Sequence, residues 1–253
     1  MASSIEVLFS PAEYAPRRGL DFTGTVCVVF DVLRATSVMV TGLANGAAGF
    51  IPVAEISEAL ALRQKHPAAL LAGERNGLRI GATLTGGVEF DLGNSPREYT
   101  AGRVADKTII TTTTNGTRAL RACAAAEHVL VAAFLNLHAT ADWIAAQRPG
   151  RLIFIAAGTG EATALEDVLA AGALCDIVAP ALPNCQLLDS AETARCAYRA
   201  VAGDLPTAIY RAANARRLLA NVDLGGDVDD CLRRDTRPLI AMLGRDGVVR
   251  QSK

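Results

Sequence analysis

The chain has 253 residues, 51% of them hydrophobic but only 5% aromatic, enough for one large or two small domains with a substantial core. Its 25 Lys+Arg nearly balance 26 Asp+Glu, for a net charge of −1, so the overall field gives no electrostatic case for a nucleic-acid or membrane partner. No apolar run reaches transmembrane length, residues 1–20 lack a signal-peptide layout, and the six cysteines (27, 123, 175, 185, 196, 231) show neither C-x-x-C pairs nor zinc spacing, which predicts reduced, mostly buried thiols in a cytoplasmic protein.

Residues 5–9 read as a strand, and 10–21, with two prolines, as a loop. Residues 25–30 form a continuous β-branched run, the pattern of a strand buried on both faces, and it stops at Asp31. Residues 32–40 lead into a helix that ends near Asn45-Gly46. A short strand follows at 50–53, an amphipathic helix at 55–65, and a short strand at 69–72 that ends at Gly73-Glu74-Arg75. Residues 76–103 are glycine-rich and irregular, and include Gly93-Asn94-Ser95-Pro96. A strand at 107–110 runs into Thr111-Thr112-Thr113-Thr114-Asn115-Gly116-Thr117-Arg118, with a helix from Ala119.

Residues 129–132 are a strand that ends near Asn136, followed by a helix at 139–147 and a strand at 152–157 that ends at Gly158-Thr159-Gly160-Glu161. The helix at 165–179 carries Glu166 and Asp167 in its first turn. Residues 189–221 read as helical almost throughout, 227–237 as a charged helix, and 248–249 as a last short strand. Alternating strands and helices predict an α/β fold, three-layer α/β/α with a mostly parallel or mixed sheet. The expected unit is one domain over 1–253, with a smaller lobe within 180–230 left open.

Polar residues end strand after strand: Asp31, Glu74-Arg75, Asn115, Asn136 and Thr159. In an open parallel sheet such ends share one edge, where ligands bind. A strand, a polar turn and a helix at 107–124 is also a geometry in which backbone N–H groups can hold an anion. Taken alone, that turn reads as well as an ordinary helix start with Thr117 as its cap. Arg34, Arg75 and Arg118 follow the strand ends closely, and guanidinium groups make forked bonds to phosphate or sulfonate oxygens. Asp31, Glu74, Glu166 and Asp167 are the acids placed to bind a hard cation such as magnesium, which prefers oxygen ligands. No P-loop motif is present, and Thr163 spoils a dinucleotide fingerprint at Gly158-Thr159-Gly160. Cys231 and Arg237 have the C-x5-R spacing of cysteine phosphatases, but the intervening residues are bulky and charged, without the glycines such a loop needs.

The ordered set Asp31-Val32-Leu33-Arg34-Ala35-Thr36-Ser37, Ala72-Gly73-Glu74-Arg75, Gly93-Asn94-Ser95-Pro96, Thr112 to Arg118, Ala157-Gly158-Thr159 and Leu165-Glu166-Asp167 resembles the 2-phosphosulfolactate phosphatase (ComB) family. That resemblance implies an α/β/α fold of the family's own type and magnesium-dependent hydrolysis of the phosphate monoester of 3-sulfolactate, a step that in methanogens belongs to coenzyme M synthesis. Carried onto this chain, it implies catalytic roles for Asp31, Arg34, Glu74, Arg75 and Glu166. Asn94, Ser95, Thr114, Asn115, Gly116, Thr117, Arg118, Asn136, Gly158 and Thr159 would meet the substrate. Asp31, Glu166 and Asp167 would hold Mg2+, with Asp31 either a metal ligand or the nucleophile. Two positions depart from the family pattern: Ala156 stands where a cysteine is expected, and Arg237 precedes Pro238 where an apolar residue is usual. The expected partner is a small anionic phosphorylated substrate, without nucleic acid or membrane; a homo-oligomer stays open. The alternatives are an isomerase or lyase using the same cleft, and a non-catalytic sensor of small phosphorylated acids.

Overall fold

An eleven-stranded mixed sheet forms the frame of a computed structural model that describes residues 3–17 and 22–252. In chain order its elements are β1 (Ser4–Leu8), α1 (Pro11–Tyr14), β2 (Thr25–Phe30), α2 (Ala35–Ala44), β3 (Gly49–Pro52), α3 (Ile56–Lys65), β4 (Leu70–Arg75), β5 (Leu78–Arg79), α4 (Ala82–Thr85), α5 (Ala101–Val104), β6 (Thr108–Thr112) and α6 (Gly116–Ala122). Then follow β7 (His128–Ala132), α7 (Leu137–Gln147), β8 (Arg151–Ala156), α8 (Leu165–Ala181), β9 (Gln186–Leu187), α9 (Asp189–Val201), α10 (Leu205–Tyr210), α11 (Ala213–Leu219), α12 (Gly226–Leu232), β10 (Ile240–Leu243) and β11 (Val249–Ser252). The predicted loop over 10–21 contains α1 and a 3-10 turn at Ala15–Arg17, and its residues 18–21 lie outside the described residues.

The strands lie in the order β5-β4-β6-β3-β11-β10-β7-β2-β8-β1-β9. One parallel set is β4, β6 and β3, and the other is β7, β2, β8, β1 and β9. Between them sits the β10–β11 hairpin, antiparallel to each neighbour and within itself. Three reversals leave the two parallel sets running in opposite directions. The single parallel edge expected from the strand ends is therefore not what gathers them. Six strand-to-strand steps separate β4 from β2. At roughly 20–25° of twist per step, the accumulated rotation is about 120–150°. That rotation brings the carboxyl ends of two opposed sets to one cleft.

Alternate residues of β2 and β8 feed opposite faces of the sheet, as a strand's period of two requires. Val26, Val28, Phe30, Leu152, Phe154 and Ala156 join one cluster with α7, α8 and α9, while Cys27, Val29, Ile153 and Ile155 join another with α2 and α6. Helix α2 is buried from Ala35 to Leu43, which explains its unbroken small and apolar sequence. A third cluster, around Ile110, Leu71, Ala59 and Phe90, packs α3 and the irregular segment against β4 and β6. Gly73 has φ +150, and a Cβ there would stand 2.1 Å from the Thr112 carbonyl oxygen. Only glycine lets β4 press this close to β6 one residue before Glu74.

Three parts of the sequence reading change at the C-terminal end. The charged helix predicted over 227–237 stops at Leu232, because Arg233 is extended and Asp235 has φ +54. The last strand pairs with an earlier strand, Ile240–Leu243, and the hairpin fills the middle of the sheet. The helical stretch predicted over 189–221 is three helices, α9 to α11, joined by short turns. All six cysteines are unpaired; Cys27, Cys123, Cys175 and Cys231 are buried. Among the described residues no helix is long and apolar enough to cross a membrane.

Candidate active site

Asp31 is the first residue after β2, at the mouth of a cleft of about 250 Å³. Its backbone N–H donates to Thr36 Oγ1 (3.0 Å), and its Oδ1 accepts from the Ala35 N–H (3.1 Å). The backbone of Gly116 hydrogen bonds to the same carboxylate. A Cβ on Gly116 would lie 2.7 Å from Asp31 Oδ2 and 2.7 Å from Ala35 Cβ, so the glycine is what admits the acid. Burial pushes the Asp31 carboxyl up to about 6, the charges of Glu74 and Glu166 add to the rise, and the Ala35 and Gly116 hydrogen bonds oppose it.

Glu74 ties the end of β4 to the turn after β6. Its Oε1 accepts from the Thr114 N–H (3.0 Å) and hydroxyl (2.8 Å), and its Oε2 accepts from the Gly77 N–H (2.7 Å). Arg34, 3% exposed, donates from Nη1 to Asp227 Oδ2 (2.6 Å) and from Nη2 to the Gly77 carbonyl (2.6 Å). The Leu33–Arg34 peptide is cis. Asp227, on α12 and fully buried, also accepts from Ser95 Oγ (2.6 Å) and Arg97 Nε (2.8 Å) on its other oxygen.

The two acids that open α8 behave differently. Asp167 spends both oxygens on backbone: Oδ1 accepts from the Val32 N–H (2.8 Å) and Oδ2 from the Gly158 N–H (3.1 Å). Glu166 Oε1 accepts from Asn214 Nδ2 (2.7 Å), while its buried Oε2 has no hydrogen-bond partner among the described residues. Burial raises the pKa of both; Glu166 and Asp31 raise Asp167 further, and the Asn214 hydrogen bond opposes the rise at Glu166. Asn214 also donates to Thr159 Oγ1 (2.6 Å), and Arg217, one turn along α11, donates to Asn214 Oδ1 (3.2 Å). Arg217 lines the cleft and has no carboxylate within ion-pair distance among the described residues, although its charge reaches Glu166.

Against this geometry we compared the chain with known proteins. It matches the family described as 2-phosphosulpholactate phosphatase over residues 14–245. A protein of Deinococcus radiodurans named probable 2-phosphosulfolactate phosphatase is 41% identical over 219 residues, covering 86% of this chain and 87% of its own. Proteins of the same name from Caldicellulosiruptor saccharolyticus and Pseudothermotoga lettingae are 36% identical over 212 residues (82% of this chain, 84% of that one) and 34% identical over 249 residues (98% and 99%). The chain belongs to the 2-phosphosulpholactate phosphatase family. Its members are phosphoric monoester hydrolases, and the site can be set against that chemistry residue by residue.

Asp31, Arg34, Glu74, Asn94, Thr114, Asn115, Gly158 and Thr159 all line the cleft. Ser95, Gly116, Glu166 and Asp167 stand directly behind its wall, bonded to or packed on residues that line it or hold it. Thr117 turns inward, with its hydroxyl donating to the Thr113 carbonyl (2.9 Å). The remaining three are engaged elsewhere. Arg75 braces β4 against β6 through the Glu74 carbonyl (2.7 Å) and Thr112 Oγ1 (3.1 Å). Arg118 pairs with Glu161 at 2.5 Å on the surface. Asn136 is fully buried and serves backbone: its Oδ1 accepts from the Ala133 N–H (2.9 Å), and its Nδ2 donates to the Val131 and Leu239 carbonyls (3.2 Å each).

The N–H groups of the threonine-rich turn are largely taken by the protein itself. Thr114 donates to Glu74, Gly116 bonds Asp31, and Thr117 donates to Thr113 Oγ1 (3.3 Å). The turn thus holds two acids in the cleft rather than presenting an empty cradle. The residues missed from sequence are Asn76, Gly77, Asn214, Arg217 and Asp227. Asn214 and Arg217 carry a faint signal: a polar pair three residues apart on one face of a short helix.

Among the described residues no group of three or more His, Cys, Asp or Glu side chains is arranged to cage a metal ion. Magnesium does not need such a cage; it is commonly held by one or two carboxylates, water and substrate phosphate oxygens. The donor set fits that mode. Glu166 has an unpartnered buried oxygen, and Asp31 is a buried acid whose carboxyl burial, with the charges of Glu74 and Glu166, holds above its ordinary range.

Proposed function

We propose that the chain is a magnesium-dependent phosphatase that hydrolyses 2-phosphosulfolactate to 3-sulfolactate and inorganic phosphate. The observation that carries this reading is the pairing, in one small cleft, of the buried acid Asp31 with two guanidinium groups, Arg34 and Arg217. The names of relatives at 34–41% identity support the same substrate.

The substrate carries a phosphate, a sulfonate and a carboxylate. Arg217, uncommitted to any acid, is positioned to fork onto one of these groups. Arg34, fixed by Asp227 and the Gly77 carbonyl, meets another with its geometry already set. Asn115, held by its Nδ2 bond to the Gly158 carbonyl (2.8 Å), and the Thr114 hydroxyl add polar walls. Asp31 and Glu166 are the carboxylates that would hold Mg2+, which when bound neutralises charge on the phosphoryl oxygens. Asp31 acts either there or as the nucleophile of an aspartyl-phosphate route. Over a full turnover both routes consume one water, whose hydroxyl ends on phosphorus and whose proton balances the one taken up by the C2 oxygen.

The test is phosphate release from a panel of monoesters that includes 2-phosphosulfolactate, with and without magnesium. Release from that ester, lost in EDTA and restored by added magnesium, is the expected result. No release from it would overturn the substrate, and EDTA-insensitive turnover would overturn the metal. The stereochemical course at phosphorus separates the two roles of Asp31: two successive displacements through an aspartyl-phosphate retain configuration, whereas direct attack by water inverts it.

A further inference from the structure

Asp227 has two sides. Its Oδ2 holds Arg34 in the catalytic cleft, and its Oδ1 holds Arg97, which lines a second cavity of about 180 Å³. The two cavities share no lining residue. Three arginines, Arg97, Arg233 and Arg237, line the second cavity, together with Thr41, Asn45 and Thr100. Its one carboxylate, Asp230, is engaged by Arg233 at 3.0 Å. Asp223 and Asp230 also act on Arg97, so the cavity is not free of negative charge.

Arg237 is the uncommitted group. It has no carboxylate within ion-pair distance among the described residues, and its Nη1 donates only to the Thr236 carbonyl (3.1 Å). Its backbone, by contrast, is pinned. The Arg237 N–H donates to the Leu135 carbonyl (2.9 Å), and its own carbonyl accepts from the Leu239 N–H (2.8 Å). Asn136, buried under this segment, holds the Leu239 carbonyl in turn. A guanidinium carried on a fixed backbone and left without an acid is pre-organised for an external anion. An adjoining cavity of about 410 Å³ shares Asn45, Thr236 and Arg237 and adds Ala44, Pro238 and Leu239, which leaves room for a small organic part.

We infer that this second cavity binds a small phosphate- or sulfonate-bearing anion and is coupled to the catalytic cleft through Asp227. Arg34 and Arg97 share one buried carboxylate. An anion on Arg97 competes with Asp227 for that guanidinium and leaves Asp227 more fully to Arg34. Arg34 then offers less positive charge to a substrate. The coupling is therefore negative, and by linkage a substrate in the cleft weakens the second anion by the same factor.

The experiment is an equilibrium titration of inorganic phosphate into the full chain, into Arg237→Ala and into Arg217→Ala, with each variant's fold checked by its circular dichroism spectrum and melting curve. Two phosphates per chain are expected for the wild type. Arg237→Ala keeps the cleft site and loses the other, whereas Arg217→Ala does the reverse. Arg237→Lys, which keeps the charge but not the fork, binds the second phosphate more weakly than wild type. In turnover assays phosphate inhibits the wild type by a mixed pattern and Arg237→Ala competitively, with kcat and KM unchanged. One phosphate per chain, unaltered in Arg237→Ala, overturns the site. Two sites that bind without affecting each other overturn the coupling alone. The binding titration stands whether or not the chain hydrolyses 2-phosphosulfolactate.

Discussion

Replacing Asp227 separates the site's architecture from its chemistry. Arg34, 3% exposed, loses in Asp227→Ala its ion pair at 2.6 Å and keeps the hydrogen bond to the Gly77 carbonyl. Removing one member of a buried ion pair costs about 3–5 kcal/mol, because the other charge is left desolvated. Arg97 adds little to that figure, since its side chain is 43% exposed and can turn to water. For a chain of this size about 2–4 °C is lost per kcal/mol, so the melting temperature should fall by roughly 6–20 °C. The Asp227→Leu, Arg34→Met double variant removes both buried charges and should recover much of the loss in thermal or urea melts. Phosphate release should remain abolished in it, because Arg34 no longer meets the substrate. An Asp227→Ala variant that melts within a degree or two of wild type, or a double variant no more stable than the single one, would refute the reading of this pair as a buried anchor.

Arg217→Gln should lower kcat/KM for 2-phosphosulfolactate by about 10–150-fold, the loss of one charged hydrogen-bonding partner worth about 1.5–3 kcal/mol; steady-state kinetics checks it. Asn136→Ala should cost about 1–3 kcal/mol in urea melts by stranding buried backbone groups, with kcat/KM of the folded enzyme unchanged. In metal-free buffer, the share of stability that Asp31 contributes should fall as pH rises from about 4 to about 6. The folded Asp31 carboxyl sits near 6 and its ordinary value is 3.8, so between them the folded chain keeps a proton that the unfolded chain has released. At about 1.4 kcal/mol per unit its share is about 3 kcal/mol; Asp31→Asn should flatten that part of the fall, leaving the same-signed shares of Glu166 and Asp167.

The strand-end acids were legible because an apolar run that stops at a charged residue announces both a buried strand and its exit. Asp31 and Glu74 are found in that way, and the cleft is built on them. Strand direction was not legible. Nothing in residues 240–243 or 249–252 tells that a hairpin enters the middle of the sheet and reverses one half against the other. The occupants of the threonine-rich turn were hidden for a related reason. Its N–H groups could be counted from sequence, but Glu74 and Asp31, distant in the chain, take them. Asn214, Arg217 and Asp227 lie on short helices of mixed charge, where the pattern reads equally as a solvated face; only packing decides that Asp227 is buried and Asp223, four residues earlier, is not. Asn136 ended a strand like the others, yet its amide is consumed by the turn before α7 and by the Leu239 carbonyl.

On the proposed reading, charge balance would favour a bound cation although the site builds no cage for one. Asp31, Glu74, Glu166, Asp167 and Asp227 bring five carboxylates to the cleft and its immediate wall, against the guanidinium groups of Arg34, Arg217 and Arg97. A substrate with three anionic groups would meet no net attraction there. The acids are not idle, since Glu74 and Asp167 lock loops together and Asp227 fixes two arginines. Asp31 and Glu166 are the two whose burial is least compensated: one is raised to about 6, and the other keeps an unpartnered oxygen. A magnesium ion shared between those two carboxylates and a phosphoryl group would relieve the acids and attract the substrate at once, with the substrate itself completing the coordination. On this argument metal and substrate affinity are interdependent, and magnesium should bind the free protein weakly and the substrate-loaded protein tightly.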